Sequence, residues 1–210
     1  MRLPCGPRDH VLLRRLPRSF YLRDVHVVAR ELLNKVIVVR SCSARIVEVE
    51  AYAGDQDPAS HSFRGQTRRN EVMFDRGGLL YVYFTYGMHY CMNAVTGDRG
   101  TAHAVLIRAA EPLTGLSIMR RRRGRNIADR DLCRGPARLT EALGIGRNDN
   151  GTDLTDRKSR IGIFDDATAP PAKPRQSTRV GISSAQDRLW RYFVDSPHTS
   201  AHRHTIRKMQ

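Results

Sequence analysis

The sequence predicts an α+β fold: one compact domain with an antiparallel or mixed β-sheet and flanking helices. With 210 residues, 40% of them hydrophobic, the chain can bury one substantial core. Segments with the alternation or β-branched runs typical of strands outnumber segments with helical periodicity. Strands and helices alternate irregularly along the chain, which favours mostly antiparallel pairing over repeated β–α–β units.

The first predicted elements are a helix and two strands. Asp24 can cap a helix that ends near Asn34, and the β-branched run at residues 36–39 predicts a buried strand. Residues 45–52 alternate, which places Glu48, Glu50 and Tyr52 on the face opposite Val47, Val49 and Ala51. Two carboxylates on one face repel each other unless they are solvated, paired with arginine or part of a site. The residues alone favour an arginine-paired surface strand.

A β-hairpin is predicted in the middle of the chain. Residues 79–84 and 88–95 have strand patterns, and the short segment between them predicts a turn. Tyr81 and Tyr83 share one face, where core packing is the ordinary explanation. Tyr86 lies in the turn, where a large aromatic ring has little core to reach. In a basic protein such a ring is a candidate wedge between stacked bases.

The remaining elements follow from similar patterns. They are a strand at 104–108, a helix that begins at Glu111 and Pro112 and runs into the arginine-rich residues 120–125, a helix opened by Gly135 and Pro136, and short strands at 160–164, 179–183 and 189–194. Residues 1–20 are predicted to form a flexible basic arm, residues 21–195 the folded domain, and residues 196–210 a flexible tail.

Charge is the strongest global property of the chain. Lysine and arginine number 36 against 21 acidic residues, a formal net charge of +15, which favours a polyanionic partner. No apolar run approaches the roughly 18 residues of a membrane-spanning helix. Only four basic residues are lysines. The planar fork of arginine suits phosphate contacts, although a genomic coding bias explains the imbalance equally well.

The four cysteines predict an intracellular protein with reduced thiols. Cys5, Cys42, Cys91 and Cys133 are far apart and form no C-x-x-C pair, and no apolar signal segment precedes them. Residues so dispersed give little support to a zinc site, and we expect no metal and no cofactor.

Several short motifs occur in an order that is specific in combination. They are Val47-Glu-Val-Glu50-Ala-Tyr52, His61-Ser62, Arg69-Asn70, Met73-Phe74, Leu80-Tyr-Val-Tyr83, Tyr86-Gly-Met88, Cys91-Met-Asn93, Arg108-Ala-Ala-Glu111-Pro112 and Leu132-Cys-Arg-Gly135-Pro136. With them, residues 29–194 closely resemble the alkyladenine (3-methyladenine) DNA glycosylase family.

The resemblance implies an α+β domain with a protruding, DNA-inserting hairpin. It also implies a monofunctional DNA glycosylase of base excision repair. Such an enzyme flips alkylated or deaminated purines (3-methyladenine, 7-methylguanine, ethenoadenine or hypoxanthine) out of duplex DNA, hydrolyses the N-glycosidic bond and leaves an abasic site.

The same resemblance implies a role for each matching position. Glu50 would be the general base that activates water, and Arg108 would position that water and a nearby phosphate. Tyr52, His61 and Tyr83 would hold the flipped base, and Asn93 would disfavour the 2-amino group of guanine. Tyr86 and Met88 would enter the DNA.

Elementary chemistry is consistent with one catalytic carboxylate. An N-alkylated purine is already a cationic leaving group, so a single base acting on water can suffice. Stacking on tyrosine also favours a cationic ring. Since no lysine lies between Lys35 and Lys158, we expect no Schiff base and no strand cleavage.

Two other function classes stay open on the residues alone. One is a nucleic-acid-binding protein without catalysis, and the other is a metal-dependent nuclease that uses Glu48, Glu50 and His61. For the preferred function we expect a monomer that binds double-stranded DNA carrying damaged purines and does not bind membranes. High arginine content and a short chain favour the bacterial cytoplasm (nucleoid) over the eukaryotic nucleus.

Overall fold

The computed structural model describes residues 13–85 and 87–200. Its central element is one antiparallel β-sheet. Its nine strands in the described residues are β1 Arg14–Arg15, β2 Val36–Val39, β3 Cys42–Ala53, β4 Leu80–Thr85, β5 His89–Thr96, β6 His103–Thr114, β7 Ile161–Asp165, β8 Arg175–Ser177 and β9 Arg191–Phe193. The strand order is β1-β7-β2-β3-β6-β5-β4, and β9 pairs with both β3 and β8. The predicted α+β class and the central hairpin β4–β5 are confirmed.

Five α-helices flank this sheet within the described residues. They are α1 Arg18–Tyr21, α2 Val25–Leu32, α3 Leu116–Arg123, α4 Asp129–Leu132 and α5 Pro136–Leu143. The side chain of Asp24 caps α2 by accepting from two backbone N–H groups, as predicted. Pro136 opens α5, and Gly144 ends it with a left-handed φ of 69°. No helix of the described residues is long and apolar enough to cross a membrane.

Strand β3 is the centre of the sheet. Along one edge it pairs with β6; along the other it pairs first with β2 and then with β9, where Glu48 lies opposite Phe193 and Glu50 opposite Arg191. The part of β3 that pairs with β9 is buried on both faces, and Glu48 and Glu50 are 0% exposed. The residues alone favour an arginine-paired surface strand. The pairing with arginine is confirmed, but the surface location is wrong because both carboxylates are buried.

The buried hydrophobic side chains form two clusters. The larger cluster gathers side chains of α2, α5 and the inner strands, among them Leu32, Ile46, Ile107 and Leu139. A smaller cluster of Met73, Tyr81, Val95, Ala102 and Ala104 packs beside the hairpin. Tyr81 therefore belongs to the core, while Tyr83 is partly buried against it.

Two sequence-based elements differ from the structure. The helix predicted from Glu111 begins later, because β6 continues to Thr114 by pairing Glu111 with Arg45 and Pro112 with Ala44. The proline is tolerated there because it lies next to a break in register. The predicted strand at 179–183 is a loop, and the strand before it is β8.

The first and the last residues that the structure describes pack against the rest of the domain. Arg14–Arg15 pairs with β7, Leu16 is buried, and the Arg15 guanidinium donates to the carbonyls of Leu154, Ser159 and Ile161. The flexible arm is therefore wrong for residues 13–20. Likewise Thr199 is buried within the predicted tail. The rest of both predictions concerns residues 1–12 and 201–210, which lie outside the described residues.

Candidate active site

A cavity of about 520 Å³ opens beside the β3–β6–β5–β4 part of the sheet. Its volume is typical of a site for a small ligand. Five of the predicted site residues line it: Tyr52, His61, Tyr83, Asn93 and Arg108. The remaining wall includes Arg69, Met73, Tyr81, Thr85, Cys91, Leu106, Pro136 and the loop residues 180–183.

Glu50 lies directly behind this wall. Its Oε2 accepts from the hydroxyl of Tyr52 at 2.9 Å and lies 3.2 Å from Nη1 of Arg108. Its Oε1 accepts from the backbone N–H of Val180 at 2.7 Å. All three partners line the cavity, so the carboxylate is held at the boundary of the cavity by the residues that form it.

Glu48 occupies a different environment, one that saturates its carboxylate. Oε1 accepts from Nε of Arg108 at 2.9 Å, Nε of Arg191 at 2.7 Å and the hydroxyl of Ser200 at 2.8 Å. Oε2 accepts from the backbone N–H of Ser200 at 2.6 Å. Burial alone would raise the pKa of Glu48, but the two arginines and Ser200 lower it. Glu48 is thus a structural anion, bound on every side.

His61 is oriented by the hairpin tyrosines. Its Nδ1 lies 3.1 Å from the Tyr81 hydroxyl, and its ring meets Tyr83 edge-on at 4.5 Å. Desolvation by this packing, and then the charge of Arg69, lower the pKa of His61, so the ring is neutral at pH 7. Burial raises the pKa of Tyr81 to about 12, so its hydroxyl keeps a proton that it can donate. When that proton is donated to Nδ1, Nε2 of His61 carries the N–H of the neutral ring.

Asn93 and Tyr83 are placed by the register of the hairpin. Asn93 pairs with Tyr81 across β4–β5, is 4% exposed, and donates from Nδ2 to the Tyr81 carbonyl at 3.3 Å. Tyr83 pairs with Cys91 and stacks on Tyr81 at 5.5 Å. Burial raises the pKa of Tyr83, so this ring stays neutral.

Thr85, the last residue of β4, lines the cavity, and the hairpin turn follows it. Met88, in that turn, is 70% exposed, and Phe84 is 43% exposed. Tyr86, the predicted wedge, lies outside the described residues.

Exposed arginines follow the cavity residue His61 in the chain, and one of them, Arg69, lines the cavity itself. Arg64, Arg68 and Arg69 are exposed in the loop that follows His61. The run in α3 is less available, because Arg120 pairs with Asp129, Arg122 donates to the Ala142 carbonyl and Arg123 pairs with Glu141. Helix α3 begins beside Cys42, eight residues and roughly 26 Å along β3 from Glu50.

Sequence reasoning missed residues that are distant in the chain. Val180 donates to Glu50 across 130 positions, and Arg179 forms a buried ion pair with Asp57. The Arg179 guanidinium also lies 4.7 Å from the centroid of the Tyr52 ring. Residues 179–181 lie within the range that the resemblance covers, but no local pattern connects them to β3.

The described residues contain no group of three or more His, Cys, Asp or Glu side chains placed to hold a metal ion. Glu48 and Glu50 are engaged by arginines, and His61 by Tyr81. These three residues therefore do not form the metal-binding set that the nuclease alternative requires.

Comparisons with known proteins agree with one another. A family model described as methylpurine-DNA glycosylase matches residues 19–198. Several similar proteins carry the name "Putative 3-methyladenine DNA glycosylase". The relative from Burkholderia lata is 53% identical over 180 residues (85% of this chain, 87% of the relative). Those from Nocardia farcinica and Methanoculleus marisnigri are each 46% identical, over 190 residues (88% and 90%) and 185 residues (85% and 94%) respectively.

Proposed function

The chain belongs to the methylpurine-DNA glycosylase family, and from that premise we propose that it removes alkylated or deaminated purines from double-stranded DNA. The family match confirms the predicted family and the predicted class, a hydrolase that cleaves N-glycosyl bonds. In the proposed reaction a damaged purine leaves the stack and enters the cavity. Water then hydrolyses its N-glycosidic bond and leaves an abasic site.

The observation that carries this proposal is the environment of Glu50. The carboxylate is fully buried, yet it contacts three residues of the cavity wall. A carboxylate has about four lone-pair positions, and the two hydrogen bonds and the ion pair leave room for a water molecule. Glu50 accepts the proton of that water as it attacks the sugar carbon. Arg108, whose Nη1 lies 3.2 Å from Oε2 of Glu50, orients the water and balances the negative charge of the carboxylate.

The wall supplies binding for a flat purine. Tyr52 and Tyr83 offer aromatic faces, and neutral His61 offers its Nε2–H as a donor to an acceptor on the base. Asn93, at the inner wall, disfavours the exocyclic 2-amino group of guanine. A site that combines stacking with one donor is typical of enzymes that read a flipped base.

The hairpin and the exposed arginines of the loop after His61 contact the DNA. Met88, together with Tyr86, fills the space that the flipped nucleotide leaves. Arg64, Arg68 and Arg69 contact phosphates, so binding weakens as salt concentration rises. We propose that the chain acts inside the cell as a monomer and that it needs no cofactor.

The decisive experiment uses duplexes that each carry one hypoxanthine, ethenoadenine or 3-methyladenine. The chain should release free base from at least one of them and leave alkali-labile sites. Glu50→Gln should still bind the duplex but excise roughly a hundredfold to ten-thousandfold more slowly, the usual contribution of a general base. Glu31→Gln, on α2 and paired with Arg23, is the matched control and should remain active.

Full activity of Glu50→Gln would remove Glu50 from the mechanism. A nucleic-acid-binding protein without catalysis would bind all three duplexes and release no base. A metal-dependent nuclease would cut the strand and lose that activity in EDTA.

A further inference from the structure

We propose that Arg179 is a specificity-determining residue: its charge, packed behind Tyr52, lowers the preference of the site for cationic purines over neutral ones. The inference rests on the proposed function, because it takes Tyr52 as a ring on which the flipped base stacks.

The position of Arg179 relative to the cavity is the first observation. Its guanidinium carbon lies 4.7 Å from the centroid of the Tyr52 ring and 5.0 Å from that of Trp190. The Arg179 side chain is 0% exposed. Tyr52 lines the cavity and Arg179 does not. The tyrosine ring therefore separates the guanidinium from whatever the cavity holds.

The charge of Arg179 is fixed in place. Nη1 and Nη2 donate to the two oxygens of Asp57 at 2.5 and 2.8 Å, and Nη1 also donates to the Ala51 carbonyl at 2.9 Å. Burial alone would lower the pKa of Arg179, but Asp57 raises it, so the guanidinium stays protonated. Asp57 offsets part of this charge, while the guanidinium is the group that contacts the Tyr52 ring.

A cation on one face of an aromatic ring weakens the binding of a second cation on the other. The ring attracts cations through its negative face, and Arg179 already occupies one face of Tyr52. A base stacked on the cavity face would lie about 8 Å from the guanidinium, close enough for direct repulsion in a partly buried site. Purines with a quaternised ring nitrogen experience this repulsion. Neutral hypoxanthine and ethenoadenine do not.

A purely structural role for Arg179 would have a different signature. Arg179 anchors the loop whose Val180 donates to Glu50, so substitutions can slow excision of every base. A loss of that kind cancels in the ratio of two excision rates. A change of charge behind Tyr52 does not cancel, because it acts on only one of the two bases.

The test measures single-turnover excision of 7-methylguanine, which is cationic, and hypoxanthine, which is neutral, from otherwise identical duplexes. Arg179→Met should raise the ratio of the 7-methylguanine rate to the hypoxanthine rate about three- to tenfold. Asp57→Asn removes the counter-charge and should lower the same ratio. Arg179→Lys should keep it close to the wild-type value.

Arg188→Met is the matched control, because Arg188 lies 4.5 Å from the Trp190 ring and bonds to the Gln56 carbonyl. This variant should leave the ratio unchanged. Equal ratios in wild type, Arg179→Met and Asp57→Asn would overturn the inference and leave the proposed function standing. Absence of excision of both bases by the wild-type chain would instead contradict the proposed function. If Arg179→Met does not fold, the direction of the Asp57→Asn change decides.

Discussion

Arg108 donates through Nε to Oε1 of Glu48 at 2.9 Å, while its Nη1 lies 3.2 Å from Oε2 of Glu50. One guanidinium thus joins two carboxylates that lie two positions apart on β3. Glu48 also accepts from Arg191 and Ser200, so it cannot turn towards the cavity. We infer that Glu48 is a positioning residue that sets the direction of Arg108.

Glu48→Gln should slow excision more than it weakens binding. A neutral amide holds Arg108 less firmly than the carboxylate that accepts from it at 2.9 Å, so the guanidinium is less well directed towards Glu50. We expect kcat to fall about tenfold, the value of one charge-assisted hydrogen bond, while KM changes little. Arg191→Gln leaves the contact between Glu48 and Arg108 in place and should have a smaller effect on kcat. Equal kcat values in wild type and Glu48→Gln would contradict a positioning role for Glu48.

Tyr81→Phe should impair His61 without changing the aromatic wall. The variant loses the hydroxyl that lies 3.1 Å from Nδ1, so the neutral imidazole is free to carry its proton on either nitrogen. We expect kcat/KM for a base that accepts from Nε2 to fall about tenfold, the value of one hydrogen bond. Tyr90→Phe is the control, because Tyr90 lies on β5 opposite Phe84 and its ring packs against that of Phe84. An unchanged rate would mean that the Tyr81 hydroxyl does not orient His61.

Removal of side chains at the hairpin tip should affect DNA affinity more than chemistry. Tyr86→Ala, combined with loss of the exposed Met88 side chain, should weaken binding to a lesion duplex about tenfold or more, as expected for a lost aromatic stack. Leu113→Ala removes an apolar side chain that is 37% exposed on β6 and should not change affinity. Equal affinities of the hairpin variant and wild type, measured by titration, would exclude insertion.

Excision should leave the DNA strand intact. Lys35 is 7% exposed and its ammonium lies 2.8 Å from Asp165, so it is not available as an amine nucleophile. No lysine of the described residues lines the cavity. Borohydride added during turnover should trap no protein–DNA adduct, while hot alkali should cleave the same product strand. A trapped adduct would show lyase chemistry.

The pair of Arg45 on β3 and Asp166 should contribute to stability in a defined pH range. Burial opposes ionisation of Asp166, but hydrogen bonds from Arg45 and Thr168 lower its pKa from 3.8 to about 2. Because the folded pKa is depressed, the contribution is complete above pH 3.8 and is lost as the pH falls towards 2. Asp166→Asn should reduce the free energy of unfolding by about 2 kcal/mol at pH 6, and by roughly half that at pH 3. Urea titrations at both pH values measure this, and a difference that does not vary with pH would contradict it.

Much of the framework could be predicted from local pattern. The alternation at 45–52 predicts a shared face for Glu48, Glu50 and Tyr52, and the strand patterns predict the hairpin. The start of helix α2 after Asp24 could be predicted because the capping bonds involve only neighbouring residues. Glu111 and Pro112 predict a helix start, and this prediction is wrong because a register break against β3, a long-range feature, allows Pro112 to lie in a strand.

The chemical difference between Glu48 and Glu50 has no local origin. Alternation determines the face on which a side chain lies, and both glutamates share that face. Val180 reaches Glu50 across 130 positions, whereas Arg191 and Ser200 reach Glu48 across 143 and 152. These partners arrive through the pairing of β9 with β3 and the segments beside β9, and strand register is a property of the folded sheet. Periodicity could therefore place two carboxylates side by side, and only packing of distant segments makes one a saturated structural anion and holds the other at the cavity wall.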